Sequence, residues 1–327
     1  MVFGILSINA LSIKIPFVKG TVEIEGHITS NTTWTPIDTY HVVNNTYVDP
    51  GVTLITKPGV VVQFDDGFSI IFYGSLYANG TEVNPILFVS SRSEPSPGSW
   101  NTIKFKGDSS EQFLLKYAKV ECAVRGVTIE SLGLAIVEQN YLCNCSESGI
   151  HIVGKSNVRI AENVLEQNRK GITTDDTNHS RITIFSNTIK FNQGAGIELT
   201  TRGFGCVHIC DISVLSNTIL SNGGSGVSLF TFGQDTVYSH AFGYIYNIAI
   251  SFNRISHNKG SGINLSSTGY GNSREGFGYV YNVNISFNTV SYNNLNGIEV
   301  SAYGYGKGIN IWGYGHAYIY NVDVSSN

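Results

Sequence analysis

Two short stretches hold residue types that do chemistry. "TTDDTNHSRI" brings Asp175, Asp176, His179 and Arg181 together in seven residues. Carboxylates beside an imidazole and a guanidinium suit work on sugars, and glycosidic cleavage needs a carboxylate pair. "CVHIC" sets Cys206, His208 and Cys210 at alternate positions. On a strand these face one side, and two thiolates with an imidazole are zinc ligands. Alternate side chains stand about 6.6 Å apart along a strand, so three in a line converge on one ion only if the strand bends. Asp65 and Asp66 in "FDDG" read as a turn. Further on, Asp235, Lys259, Arg274, Glu275, Glu299 and Lys307 share no repeated position.

The elements that must position these groups come from an internal repeat. The Asn that ends "SFN" recurs at Asn140, Asn163, Asn187, Asn217, Asn253, Asn288 and Asn327, in steps of 23, 24, 30, 36, 35 and 39 residues. A second Asn follows five residues later at Asn168, Asn192, Asn222, Asn258 and Asn293. A Gly follows nine residues after most markers, at Gly149, Gly196, Gly226, Gly262 and Gly297, and one residue early at Gly171. Aliphatic residues keep step: Ile160, Ile184, Val214, Ile250 and Ile285 before the marker, Leu165, Ile189, Ile219 and Ile255 after it, and Ile172, Ile197, Val227 and Ile263 after the Gly. Each unit reads as three short strands of alternating pattern with Asn and Gly corners.

A repeat of this length with Asn corners and β-branched rungs resembles the right-handed parallel β-helix and its PbH1-type repeat. The resemblance is strongest over residues 117–327. It implies an all-β solenoid whose coils stack about 4.8 Å apart, with Ile and Val columns inside and Asn stacked at the corners. Leucine-rich repeats have a similar length, but use Leu rungs and helical segments. Upstream, "PGVTLITKPGVVVQF" and "SWNTIKFKG" alternate like the leading coils of secreted archaeal and bacterial β-helix proteins. The expected organisation is a cap over 1–48, irregular leading coils over 49–116, short regular coils over 117–204 and long coils over 205–327. The first twenty residues, "MVFGILSINALSIKIPFVKG", read either as a signal remnant or as a capping strand.

Moving the register back one coil puts Tyr117 at the marker and Cys122 in the column of Cys145. Their Cα atoms would then lie about 5 Å apart, within disulfide range. A Cys122–Cys145 disulfide is expected. The alternative is a reduced ladder, with Cys143 competing.

The late coils lengthen by insertion after the Gly-Ile strand: "TTRGFG", "FTFGQDTVYSHAFG", "SSTGYGNSREGFG" and "SAYGYGKGINIWGYGHA". They read as enlarged Gly/Tyr-rich loops followed by an extra aromatic strand. Its columns are His208, Tyr244, Tyr279 and Tyr318; Cys210, Tyr246, Tyr281 and Tyr320; and Cys206, Phe242, Phe277 and His316. With Trp312, this flank reads either as cladding or as a contact surface offering flat rings and hydroxyls to a sugar or a partner subunit.

Only 13% of the 327 residues are charged and the net charge is −4. With no basic run, nucleic acid is not the expected partner. No apolar run reaches the roughly 18 residues of a membrane span. Sequons at Asn31, Asn44, Asn79, Asn144, Asn178, Asn264 and Asn284 favour an extracellular or cell-surface protein.

The resemblance offers two classes of function. Pectate lyases, polygalacturonases and polysaccharide epimerases are enzymes; adhesins, surface-layer components and NosD-like proteins are not. Polygalacturonases spread their acidic, His and Arg elements over several coils. Here those residues are compressed into one corner, so Asp175, Asp176 and His179 fit the pattern only loosely. A lyase would imply calcium; otherwise no cofactor is expected. The favoured expectation is a structural or adhesive protein that contacts glycans or further copies of itself.

Overall fold

The computed structural model describes residues 20–235, 240–272, 275–306 and 315–327. These residues form thirty-one strands, arranged in two sheets of 20 and 11 strands, and no helix. No helix among them is long and apolar enough to cross a membrane. A regular coil has three strands, as in Asn157–Ala161, Val164–Glu166 and Lys170–Thr174. Each strand pairs in parallel with its counterparts in the coils before and after it.

Stacking in register follows from the sequence columns. Val137, Ile160, Ile184, Val214, Ile250, Ile285 and Val324 lie one above another. Two further columns run from Leu142 to Val290 and from Ile150 to Ile298. Most of these side chains are fully buried. A lone coil could not bury this inner face, so the neighbouring rungs provide the core.

The corners explain the Asn pattern. The residue before each marker takes the left-handed conformation, as at Glu162 (φ 56°), Ser186 (φ 54°) and Ser216 (φ 57°). That turn points the next Asn inward. Asn217 is typical: its Oδ1 accepts from the Asn187 backbone N at 2.8 Å, and its Nδ2 donates to Ile184 O at 2.9 Å and Asn253 Oδ1 at 3.0 Å. The second Asn column repeats the pattern from Asn168 to Asn293. Buried backbone groups at the corner are thereby paired rather than left orphaned.

Of residues 1–48, expected as a cap, 1–19 lie outside the described residues and 20–48 form rungs. Gly20–Ile28 pairs with Asp38–Val48, which pairs with Val61–Phe64 and Ser69–Phe72. The leading coils fill their interior with aromatic rings: Phe64, Phe72, Phe88, Trp100, Phe105 and Phe113 are all buried. Phe64 stacks on Trp100 with centroids 4.0 Å apart.

The disulfide expectation is corrected by the register. Tyr117 has φ 49° and occupies the left-handed position, so Ala118 stands at the marker and its backbone N donates to Asn140 Oδ1. Cys122 (φ 61°) then matches Asn144 (φ 55°), one residue out of step with Cys145. Cys145 sits in the second Asn column, where its N donates to Asn168 Oδ1. All five cysteines are free.

Candidate functional site

The inserted segments of the late coils are strands more than loops. The strands Ile197–Phe204, Val227–Gln234, Ile263–Gly271 and Ile298–Gly306 run outward from the solenoid, and Cys206–Leu215, Ala241–Ser251, Gly276–Ser286 and Gly315–Ser325 run back. Together they build a thin two-layered wing. Its inner faces meet closely because Gly233, Gly269 and Gly304 form a column. A Cβ on Gly233 or Gly269 would lie 2.3 Å from the backbone of Phe242 or Phe277. What approaches these glycines is the facing strand. Thr231 and Ser267 fill the adjoining buried column, joined by a 2.9 Å hydrogen bond.

The returning layer carries the aromatic columns on its outer face. Tyr244, Tyr279 and Tyr318 stack with centroids 4.8 Å apart and planes within 13°. Tyr246, Tyr281 and Tyr320 stack at 5.0 Å within 5°. Phe242, Phe277 and His316 stack at 4.9 Å within 14°. No sugar ring fits between rings this close, so the flat faces expected from the sequence are largely turned towards one another. The surface presents ring edges and hydroxyls at the strand spacing. Burial pushes the Tyr244 phenol up to about 12, and the Tyr279 and Tyr281 phenols upward as well, so all three remain neutral hydroxyls. Trp312 lies outside the described residues.

Sequence reasoning missed a third amide ladder beside these columns. Asp211, Asn247, Asn282 and Asn321 all have φ between 52° and 55° and bend the returning strands where the wing meets the solenoid. Asn247 Nδ2 donates to Asp211 Oδ1 at 3.0 Å, Asn282 Nδ2 to Asn247 Oδ1 at 3.3 Å, and Asn321 Nδ2 to Asn282 Oδ1 at 2.6 Å. The "YN" repeated at Asn247, Asn282 and Asn321 was its signal.

Two family models match the chain, "Right handed beta helix region" over residues 104–234 and "Pectate-lyase like beta helix domain" over residues 26–124. The chain is a right-handed parallel β-helix. Among solved structures, this β-helix is similar to the Dettilon tailspike protein (gp208), with TM-score 0.43 and 13% identity over 86% of this chain and 60% of that one. It therefore spans less than two thirds of the tailspike chain. It is also similar to the A-module of the Azotobacter vinelandii mannuronan C-5 epimerase AlgE4, with TM-score 0.36 and 13% identity over 92% of this chain and 91% of that one. For the AlgE6 A-module the values are 0.36 and 13%, over 94% and 91%. No curated protein matches it.

The other candidates in the β-helix are occupied by structural work. His179 is buried, with its ring nitrogens 3.1 Å from Gly154 O and 2.8 Å from Asp175 O. Asp175 Oδ1 accepts from Gly154 N and Thr177 Oγ1, and Asp176 pairs with Arg202 at 3.3 Å. Arg181 is an exposed left-handed corner residue. Cys206, His208 and Cys210 lie along one unbroken strand. Among the described residues no three His, Cys, Asp or Glu side chains gather to hold a metal ion. Of the sequons, Asn31, Asn44 and Asn284 are exposed; Asn79, Asn144, Asn178 and Asn264 are half-buried.

One cleft of about 550 Å³ crosses the early coils, lined by Thr81, Glu82, Tyr117, Lys119, Tyr141 and Glu162 among others. Beside it, Tyr141 donates to Glu166, which also binds Lys190 at 3.0 Å. Burial raises the Tyr141 phenol well above the usual tyrosine range and the Cys143 thiol to about 12. Both therefore stay protonated at neutral pH, the wrong state for a base or nucleophile.

Proposed function

We propose that this β-helix is an extracellular or cell-surface structural and adhesive protein that uses its aromatic wing to hold a partner. One observation carries the reading: three aromatic columns stand on the outer face of the late coils, ordered rung by rung, where a fold in need only of stability would bury them. The wing is pre-organised, since each ring is fixed by its neighbours above and below, so little side-chain entropy is lost on contact. The low charge and the exposed sequons support an exterior location.

An enzyme acting on polysaccharide is the second reading, favoured only by the early-coil cleft. The protonated state of Tyr141 and Cys143 weighs against it.

The test replaces Tyr244, Tyr246, Tyr279 and Tyr281 together with Ser and measures attachment to cell envelopes and to insoluble polysaccharide. Attachment is expected to fall by more than about tenfold, a loss of about 1.4 kcal/mol, while circular dichroism is unchanged. Undiminished attachment by a folded variant would reduce the wing to cladding.

A further inference from the structure

The wing is not the only place where the late coils display aromatic rings. The short strands Arg254–Ser256 and Thr289–Ser291 form the side of the solenoid away from the wing. A left-handed residue stands just outside each end of these strands. At these positions the earlier coils place Tyr117, Gln139, Glu162, Ser186 and Ser216 at one end, and Cys122, Asn144, Gln167, Phe191 and Ser221 at the other, so that a ring occurs there only singly. The late coils place Phe252 and Phe287 at one end and His257 and Tyr292 at the other. Bulky rings in this conformation are unfavourable. These are also displayed: Phe252 is 62% exposed, Phe287 56% and Tyr292 79%. Phe252 and Phe287 stack at 5.1 Å within 5°, as His257 and Tyr292 do at 5.1 Å within 26°. Two aromatic rails thus border a narrow strip floored by Arg254, Thr289 and Ser291.

The two aromatic faces differ in charge. Residues 216–226, 252–262 and 287–297, which make the strip and its corner, contain Arg254 and Lys259 and no acidic residue. The returning strands of the wing contain Asp211 and Asp323 and no Lys or Arg. Both acids are exposed, as are both cations. No ion pair is formed by Arg254 or Lys259 among the described residues. Both faces also repeat at the strand spacing, one ring per rung per column.

We propose that the partner of the wing is a second copy of this chain, seated by its Phe252/Phe287 strip, the cationic strip against the anionic returning strands. This rests on the contact reading of the wing and names its occupant. A matching repeat lets every rung of one solenoid meet a rung of the next. A sugar ring, by contrast, finds the ring faces of both surfaces already stacked. The two patches differ and lie on different sides, so the contact is heterologous and generates a ring or an open row of side-by-side solenoids. Opposite charges set the register more than the affinity.

The experiment uses the full chain, sedimented over a concentration series. The wild type is expected to form a concentration-dependent series of oligomers. R254D/K259D and D211K/D323K each place like charges across the contact, and each alone is expected to remain monomeric. Mixed in equal amounts, they restore opposite charges across the contact and association returns. F252S/F287S, which puts at both corners the Ser found in neighbouring coils, is expected to fold and remain monomeric. A monomeric wild type, charge variants that assemble like the wild type, or a mixture that stays monomeric would each overturn the proposal. If the wild type is monomeric yet binds envelopes or polysaccharide through Tyr244 and Tyr279, the contact reading stands and its partner is not a copy.

Discussion

The leading coils and the late coils use the same scaffold and opposite placements of aromatic residues. Between Phe64 and Phe113 the rings of Phe and Trp point inward and fill a broad interior. From Phe242 to Tyr320 the interior is aliphatic, with Ile250 and Ile285 stacked, and the rings stand outside in ladders. A solenoid needs only neighbouring rungs to be stable, so its outer surface is free to carry a repeated chemical pattern. The inward rings serve stability and the outward rings are the ones proposed to serve contact, so substitutions in the two regions should have different consequences.

The largest expected effect is in the leading coils. Phe64→Ala removes a ring with no exposed surface that is stacked on Trp100. It should cost about 3–5 kcal/mol in denaturant melts while attachment through the wing is retained in the folded fraction. A loss of attachment without a loss of stability would erase the distinction between the regions.

The short middle coils and the late coils should also set opposite limits of pH stability. His151, buried in an early coil and bonded to Thr173 Oγ1, is pushed down to about 4, mainly by burial and then by Arg125. The unfolded chain takes up this proton near pH 6.5 and the folded chain only near 4. Stability present above 6.5 is therefore lost as pH falls between those values, by up to about 3 kcal/mol. His151→Thr, which copies Thr128 and Thr173 in the adjacent coils, should flatten this acid limb. On the alkaline side Tyr244 is raised to about 12 by burial. Its contribution is present below pH 10 and is lost as pH climbs towards 12. Tyrosinate absorbance should follow late-coil unfolding there, and Tyr244→Phe should shift that limb upward.

A smaller effect separates the wing from the solenoid beneath it. Gly269→Val forces a side chain into the Phe277 backbone and should cost about 1–3 kcal/mol, seen as faster amide exchange in the wing with the core columns still protected. At Gly297 an added Cβ has its nearest neighbour 3.9 Å away, so Gly297→Ala should be nearly silent.

The stacked columns of the fold were legible because each coil repeats its Asn, Gly and Ile positions. The register failed where that signal stops. Tyr117 takes the left-handed corner and Ala118 the marker, and neither residue type announces its place. The aromatic columns could be read from alternation in the returning strands. The outgoing layer was hidden because its Gly and Ser content resembles a loop; the alternation of Phe230, Thr231, Phe232 and Gly233 becomes meaningful only beside the facing strand. Phe252 and Phe287 passed unnoticed because composition does not reveal a left-handed backbone.

Hydroxyl-radical footprinting of the protein, free and attached to its native surface, tests the central claim most directly. Attachment should protect Tyr244, Tyr246, Tyr279 and Tyr281 and leave Tyr117 and Tyr141, at the early-coil cleft, as reactive as before. Protection at Tyr117 and Tyr141 with an unchanged wing would contradict the account and put the working surface on the early coils.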